Sequence, residues 1–180
     1  MKTLINGRWT DRKEEKQSND GSFKRKDTEF RNWITPDGSP GETGVGGFKA
    51  ESGRYHLYVS LACPWAHRTL IFRKLKNLEP HIGVSIVHPI MLENGWEFRT
   101  DFSQCTGDQI LGKNSIFEVY LAADKNITSR ASVPVLWDVK QATIVSNESS
   151  EIIRMFNSAF EQISVNELDL YPRTLRTEID

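Results

Sequence analysis

The sequence predicts an α/β domain with a four-stranded mixed sheet and helices on both faces. Strand and helix signals follow the order β-α-β-α-β-β-α between residues 54 and 160. The short connections in the first β-α-β unit imply a parallel pair of strands with a right-handed crossover. The last two strands are separated only by residues 139–141, which implies an antiparallel hairpin.

The strands are short runs of β-branched and aromatic residues. We predict them at residues 54–60, 84–87, 133–138 and 142–145. Helices are predicted at residues 64–78, 115–123 and 150–160. Helical spacing places Ile71, Leu75 and Leu78 on the apolar face of the first helix, and Ile152, Ile153, Phe156 and Phe160 on that of the last.

This order of elements is the thioredoxin-like arrangement, and Pro134 supports it. A proline at the start of the third strand would interrupt a central hydrogen-bond ladder. A cis Val133–Pro134 bond opposite Cys63 would fit a central strand and leave the Val133 backbone available to a ligand. The alternative is a trans proline that opens an edge strand.

Cys63 lies where the first strand ends and the first helix begins. Pro64 suits the first helical position because its missing N–H would be unpaired there anyway. The first-turn N–H groups and the positive end of the helix dipole then favour the reactive thiolate, and His67 and Arg68 would add positive potential if they face it. Ala66 occupies the fourth position of a dithiol motif, so an external thiol such as glutathione must resolve a mixed disulfide. A small buried helix cap is the alternative interpretation of Cys63.

Composition excludes several classes of function. The chain has 180 residues, of which 38% are hydrophobic and 26% charged, and a net charge of −1, so neither nucleic acid nor an anionic membrane is an expected partner. It contains no apolar run of about 18 residues and no signal-peptide pattern at its start. We expect a cytoplasmic protein with Cys63 and Cys105 reduced. The cysteines and histidines show no metal-ligand spacing, so no metal is expected.

The N-terminal part is predicted to form an arm followed by a loop. Residues 1–30 are polar and predict an extended, partly mobile arm, which Phe30, Trp33 and Ile34 fasten to the body. Five glycines in residues 37–47 predict an irregular loop. A phosphate-binding loop is disfavoured because no Gly-Lys-Ser/Thr follows and a strand comes next.

Several segments together resemble the glutathionyl-hydroquinone reductases, the Xi class of omega-like glutathione transferases. They are residues 30–33, 46–51, 54–73, 133–138 and 147–150. The resemblance implies an arm and glycine-rich loop over 1–52, a thioredoxin-like glutathione-binding domain over 53–161, and a linker over 162–180. It also implies a C-terminal helical domain that is absent from this chain, and a homodimer of the full-length protein.

The resemblance further implies glutathione as co-substrate and a glutathionyl-hydroquinone as substrate. Cys63 would attack the thioether sulfur, release the hydroquinone and remain as a mixed disulfide with glutathione. A second glutathione would then release glutathione disulfide. Two alternatives stay open: an omega-type thioltransferase or dehydroascorbate reductase, and a non-enzymatic glutathione-binding interaction module.

Five residues are implied to bind glutathione. Glu148 would bind the γ-glutamyl ammonium and Ser149 its carboxylate at a helix N-terminus, with simple helix capping as the alternative role. The Val133 backbone would pair with the cysteinyl unit. Trp96 would offer a flat face to the peptide unless it is a core aromatic, and Arg130 would meet the glycine carboxylate unless it is solvated.

The domain of about 110 residues is small for its aromatic content. We therefore expect Trp33, Trp96, Phe98 and Phe102 to form an exposed apolar patch that meets the helical domain or a dimer partner.

Overall fold

The computed structural model of the protein describes residues 2–11 and 28–180. In chain order, its strands and helices are β1 (Lys2–Ile5), β2 (Arg8–Asp11), β3 (Tyr55–Val59), α1 (Pro64–Leu75), β4 (Ile82–Ile86), α2 (Ile116–Ala123), β5 (Val135–Asp138), β6 (Thr143–Ser146), α3 (Ser149–Ser158), α4 (Glu161–Ser164), a 3-10 turn (Arg173–Leu175) and α5 (Arg176–Ile179). Within the described ranges, no helix is both long enough and apolar enough to cross a membrane.

The main sheet has the strand order β4-β3-β5-β6. β3 is parallel to β4 and antiparallel to β5, which is antiparallel to β6. On β3, Tyr55 packs edge-on against Phe160 after α3, and Tyr58 packs against Phe98. Since these two positions of a strand point to opposite faces, both faces of the sheet are covered. The predicted mixed sheet and the cis Val133–Pro134 bond are confirmed.

Helix α1 buries a different face from the one predicted. Its fully buried residues are the small Ala66 and Thr69, whereas Ile71 and Leu75 are 44% and 45% exposed. The Thr69 hydroxyl is satisfied inside the core because it donates to the Ala66 carbonyl at 2.6 Å. The helix ends at Leu75, before the buried Leu78. The prediction for Ile71 and Leu75 is therefore wrong.

Helix α3 buries the predicted stripe. Ile152, Phe156 and Phe160 are buried, Ile153 is partly buried, and Met155 completes the inner face. The helix begins one residue earlier than predicted, at Ser149, and packs against α1.

The predicted aromatic patch is wrong for two of its four members. Trp33 and Phe98 are buried, Trp96 is partly buried, and only Phe102 is exposed. Trp33 lies under the glycine-rich loop, where its Nε1 donates to Thr43 Oγ1 at 2.9 Å. The prediction considered a domain of residues 53–161 alone, whereas the segment before them also contributes to the core.

Residues 2–11 form an antiparallel hairpin that the predicted arm did not include. Asn6 and Gly7 have φ of 48° and 74°, as a two-residue hairpin turn requires. The buried Leu4 exchanges backbone hydrogen bonds with Ser129, at 3.0 and 3.1 Å. Trp9 stacks on Phe117 with ring centroids 4.6 Å apart. The hairpin is therefore docked on the domain, and Met1 and residues 12–27 of the predicted arm lie outside the described residues.

Candidate active site

Cys63 occupies the junction between β3 and α1. Its extended backbone (φ −99°, ψ 115°) makes it the N-cap of α1, and Pro64 follows at the first helical position. The Cys63 carbonyl accepts the His67 N–H at 2.9 Å, so the chain enters the helix directly after the cysteine. The thiol is free and partly exposed at the positive end of the helix dipole.

The cis-proline loop lies against Cys63. The Cys63 thiol donates to the Val133 carbonyl, with Sγ and O 3.6 Å apart, and the Val133 side chain is buried. A nucleophile and a peptide carbonyl therefore line the same point of the surface.

The N-terminus of α3 forms a second wall. Glu148 is the N-cap of α3 and accepts the Ser150 N–H at 3.2 Å and the Ser150 hydroxyl at 3.1 Å, both through Oε1. The capping role considered for Glu148 is thus present. Its Oε2 has no hydrogen bond to the described part of the chain. Ser149 is buried at the first position of the helix.

Arg68 connects α1 with this wall. Its Nε and Nη2 donate to Ser149 Oγ at 3.0 and 2.6 Å, and Nη2 lies 3.8 Å from Glu148 Oε1. The guanidinium also lies over the Trp65 ring, 5.0 Å from the centroid. Burial lowers the pKa of Arg68, and the Glu148 carboxylate opposes that shift. The N-terminal ends of the two helices are thereby joined through one cation.

These elements enclose a cleft of about 370 Å³. Its lining residues are Cys63, Trp65, Arg68, Trp96, Ser132, Val133, Pro134, Asn147, Glu148 and Ser149. The structure therefore brings together all the predicted site residues except Pro64, which occupies the first position of α1, and Arg130. Arg130 is exposed and is not among the lining residues.

Three lining residues, Trp65, Ser132 and Asn147, were not predicted, and Arg68 was considered only as a source of positive potential at Cys63. Ser132 and Asn147 meet at Tyr120 of α2, whose hydroxyl accepts from Asn147 Nδ2 at 2.8 Å and donates to the Ser132 carbonyl at 3.1 Å. Burial raises the pKa of Tyr120, so its hydroxyl stays protonated and joins the cis-proline loop to the start of α3. Sequence spacing carries no signal for this long-range triad.

Two other groups, His67 and Cys105, lie outside the cleft, and only His67 was considered as a contributor to the site. His67 is exposed and does not line it. Cys105 donates to the Val87 carbonyl at 3.4 Å, and burial raises the pKa of its thiol. Across residues 2–11 and 28–180, no group of three or more histidine, cysteine, aspartate or glutamate side chains is placed to hold a metal ion.

The fold and the cleft define a thioredoxin-like domain that carries one cysteine, not a dithiol, at the start of its first helix. The profile of the family "Glutathione S-transferase, N-terminal domain" matches residues 62–159, more than half of the chain. The chain belongs to this family.

Individual relatives agree with that assignment. The chain is 57% identical over 180 residues to glutathionyl-hydroquinone reductase YqjG of Escherichia coli, covering 100% of this chain and 55% of the relative. The glutathione-bound structure of YqjG superposes with a TM-score of 0.87 at 54% identity, over 99% of this chain and 52% of that one. A Xi-class glutathione transferase from Natrialba magadii gives a TM-score of 0.85 at 42% identity, over 100% of this chain and 52% of that chain. The chain thus spans about half the length of these relatives.

Proposed function

We propose that the protein reduces glutathionyl-hydroquinones to hydroquinones with glutathione, through a mixed disulfide on Cys63. The observation that carries the proposal is a lone cysteine at a helix N-terminus, open to a cleft whose opposite wall is a second helix N-terminus with Glu148 and Ser149. Similarity to a reductase of that name supports the choice of substrate.

In the first step, the Cys63 thiolate attacks the glutathionyl sulfur of the aryl thioether. A disulfide bond forms between Cys63 and glutathione while the aryl C–S bond breaks. The electron pair of that bond stays on the ring carbon, which takes up a proton from water and becomes C–H. The two sulfurs are oxidised and the ring carbon is reduced.

In the second step, the thiolate of another glutathione attacks the glutathionyl sulfur of the mixed disulfide. Glutathione disulfide leaves, and Cys63 returns to the thiolate. An external thiol is required because Ala66 stands where a dithiol enzyme would have its resolving cysteine. One glutathionyl-hydroquinone and one glutathione therefore give one hydroquinone and one glutathione disulfide.

The placement of glutathione follows from the two walls. Glu148 Oε2 would bind the γ-glutamyl ammonium, and the hydroxyl and N–H of Ser149 would bind its carboxylate. The backbone of Val133 would pair with the cysteinyl unit, whose N–H would replace the Cys63 thiol as donor to the Val133 carbonyl. Trp96 would cover the peptide, and the exposed Arg130 would meet the glycine carboxylate at the edge of the cleft.

The proposal extends to the whole protein. We infer that a helical domain beyond this chain completes the hydroquinone pocket, that the full-length protein is a homodimer, and that it acts in the cytoplasm.

A turnover assay tests the reaction. The complete protein is incubated with glutathione and a glutathionyl-hydroquinone, and hydroquinone and glutathione disulfide are quantified by chromatography. We expect equal amounts of both products, and a glutathionyl adduct on Cys63 by mass spectrometry when the second glutathione is withheld. Parallel reactions contain dehydroascorbate or an aliphatic glutathionyl disulfide. Turnover of those acceptors alone would favour an omega-type activity, and binding of glutathione without any turnover would favour an interaction module.

A further inference from the structure

The γ-glutamyl end of glutathione is a zwitterion, with an ammonium and a carboxylate on one carbon. A complementary subsite needs one anion and one cation. Glu148 supplies the anion, but the predicted subsite offers the carboxylate only the hydroxyl and N–H of Ser149. The structure contains a cation at this position.

That cation is Arg68. Its side chain reaches across from α1 to Ser149, lies 3.8 Å from the Glu148 carboxylate and is only about a third exposed, at 32%. The Trp65 ring supports one face of the guanidinium. Within the described residues, Nη1 makes no hydrogen bond. A partly buried, oriented guanidinium with free donors favours a second anion.

We propose that Arg68 is a glutathione-binding residue that pairs with the γ-glutamyl carboxylate beside Ser149. This inference rests on the proposed function, because it assumes that glutathione binds in this cleft. It pairs the ammonium of the zwitterion with Glu148 and the carboxylate with Arg68.

The hydrogen bonds from Arg68 determine whether the Ser149 hydroxyl can donate to a ligand. Its Oγ accepts two bonds from Arg68, so the hydroxyl hydrogen is left to donate to a carboxylate. The remaining guanidinium donors lie beside the same point. Arg68 would therefore act in two ways, through direct pairing with the carboxylate and through its orientation of Ser149.

Charge-deleted ligands test the assignment on the complete protein. S-methylglutathione carries both charges and avoids thiol chemistry. Two S-methylated analogues each lack one charge: 4-aminobutanoyl-Cys-Gly lacks the α-carboxylate, and glutaryl-Cys-Gly lacks the ammonium. By calorimetry, Arg68→Gln should bind the two ligands that keep the carboxylate, S-methylglutathione and the glutaryl analogue, roughly ten- to hundredfold more weakly than the unaltered protein does. Its affinity for the aminobutanoyl analogue, which lacks the carboxylate, should be almost unchanged. Glu148→Gln should show the reverse selectivity between the two analogues.

Control variants exclude general effects of charge and folding. Lys74→Gln removes one positive charge from an exposed position of the same helix, and it should leave all three affinities unchanged. Arg68→Lys keeps the charge but loses the planar fork. Its affinity for ligands that carry the carboxylate should lie between that of the unaltered protein and that of Arg68→Gln. If circular dichroism shows that Arg68→Gln is unfolded, Arg68→Lys takes its place in the test.

The direct contact is separated from the orientation of Ser149 by a double-mutant cycle. Arg68→Gln should still weaken binding of S-methylglutathione in a Ser149→Ala background. No further loss there would overturn direct pairing, and equal losses for the aminobutanoyl analogue and S-methylglutathione would overturn recognition of the carboxylate. If the unaltered protein binds no S-methylglutathione, the proposed function itself fails; if it binds and Arg68→Gln binds equally, only the present inference fails.

Discussion

Replacing Glu148 with glutamine separates its structural role from its proposed role in binding. The carboxylate caps α3 by accepting the N–H and the hydroxyl of Ser150. A glutamine carbonyl oxygen can accept the same bonds, whereas alanine cannot. Glutamine nevertheless removes the negative charge proposed to bind the γ-glutamyl ammonium and the attraction to Arg68 across 3.8 Å.

The two variants should therefore differ in stability but not in binding. Loss of an N-cap costs about 1 kcal/mol, so Glu148→Ala should lower the free energy of unfolding by about that amount and Glu148→Gln by much less. A hydrogen bond to a charged group contributes about 1.5–3 kcal/mol. Both variants should then bind glutathione roughly ten- to hundredfold more weakly.

Urea denaturation measures the first quantity and calorimetry with S-methylglutathione the second. Glu161→Gln is the matched control, because it removes a carboxylate from the exposed start of α4. It should change neither quantity. Unaltered affinity in Glu148→Gln would refute the binding role and leave Glu148 only as the helix cap.

Three further predictions follow from other parts of the chain. Cys63→Ala should abolish hydroquinone release by the complete protein and Cys105→Ala should preserve it, and a normal rate in Cys63→Ala would contradict the mechanism. Burial lowers the pKa of His56 from 6.5 to about 4. Between these two pH values His56 binds a proton in the unfolded chain but not in the folded one, so the free energy of unfolding falls as the pH drops from 6.5 toward 4. Urea denaturation should show a loss of about 2 kcal/mol at pH 5 relative to neutral pH, and His56→Gln should lack that component. Leu4→Ala should cost about 2–5 kcal/mol in the same assay, because Leu4 is fully buried, and no change would mean that the hairpin does not contribute to the domain.

The sheet could be predicted because its signals are local. Short β-branched runs and the three-residue separation of the last two strands define β3–β6, and Pro134 restricts its own position in the sheet. The N-terminal hairpin also had a local signal, since Asn6-Gly7 is a strong hairpin dipeptide and lies between Leu4-Ile5 and Arg8-Trp9. The polar composition of residues 1–30 outweighed that dipeptide in the prediction. The average composition of residues 1–30 therefore concealed the short hairpin of residues 2–11.

The site was predictable to the extent that it depends on single positions. Cys63 and Pro64 mark a strand–helix junction and could be placed from their own neighbourhood, whereas Glu148 and Ser149 were implied by the family resemblance. The contacts between those positions depend on how α1 and α3 pack. The link from Arg68 to Ser149 spans 81 positions of sequence and has no local pattern.

The contact between Arg68 and Ser149, which was not predicted, and the reversed face of α1 have one physical cause. Periodicity identified Ile71 and Leu75 as an apolar face, and the largest side chains were expected to be the buried ones. The helix instead places Ala66 and Thr69 against the core, where small side chains permit close packing. Because a helix turns about 100° per residue, burial of those two positions directs Arg68 away from the sheet and toward α3. The residues with the least volume thus determine the rotation of α1, and with it which charge reaches the cleft.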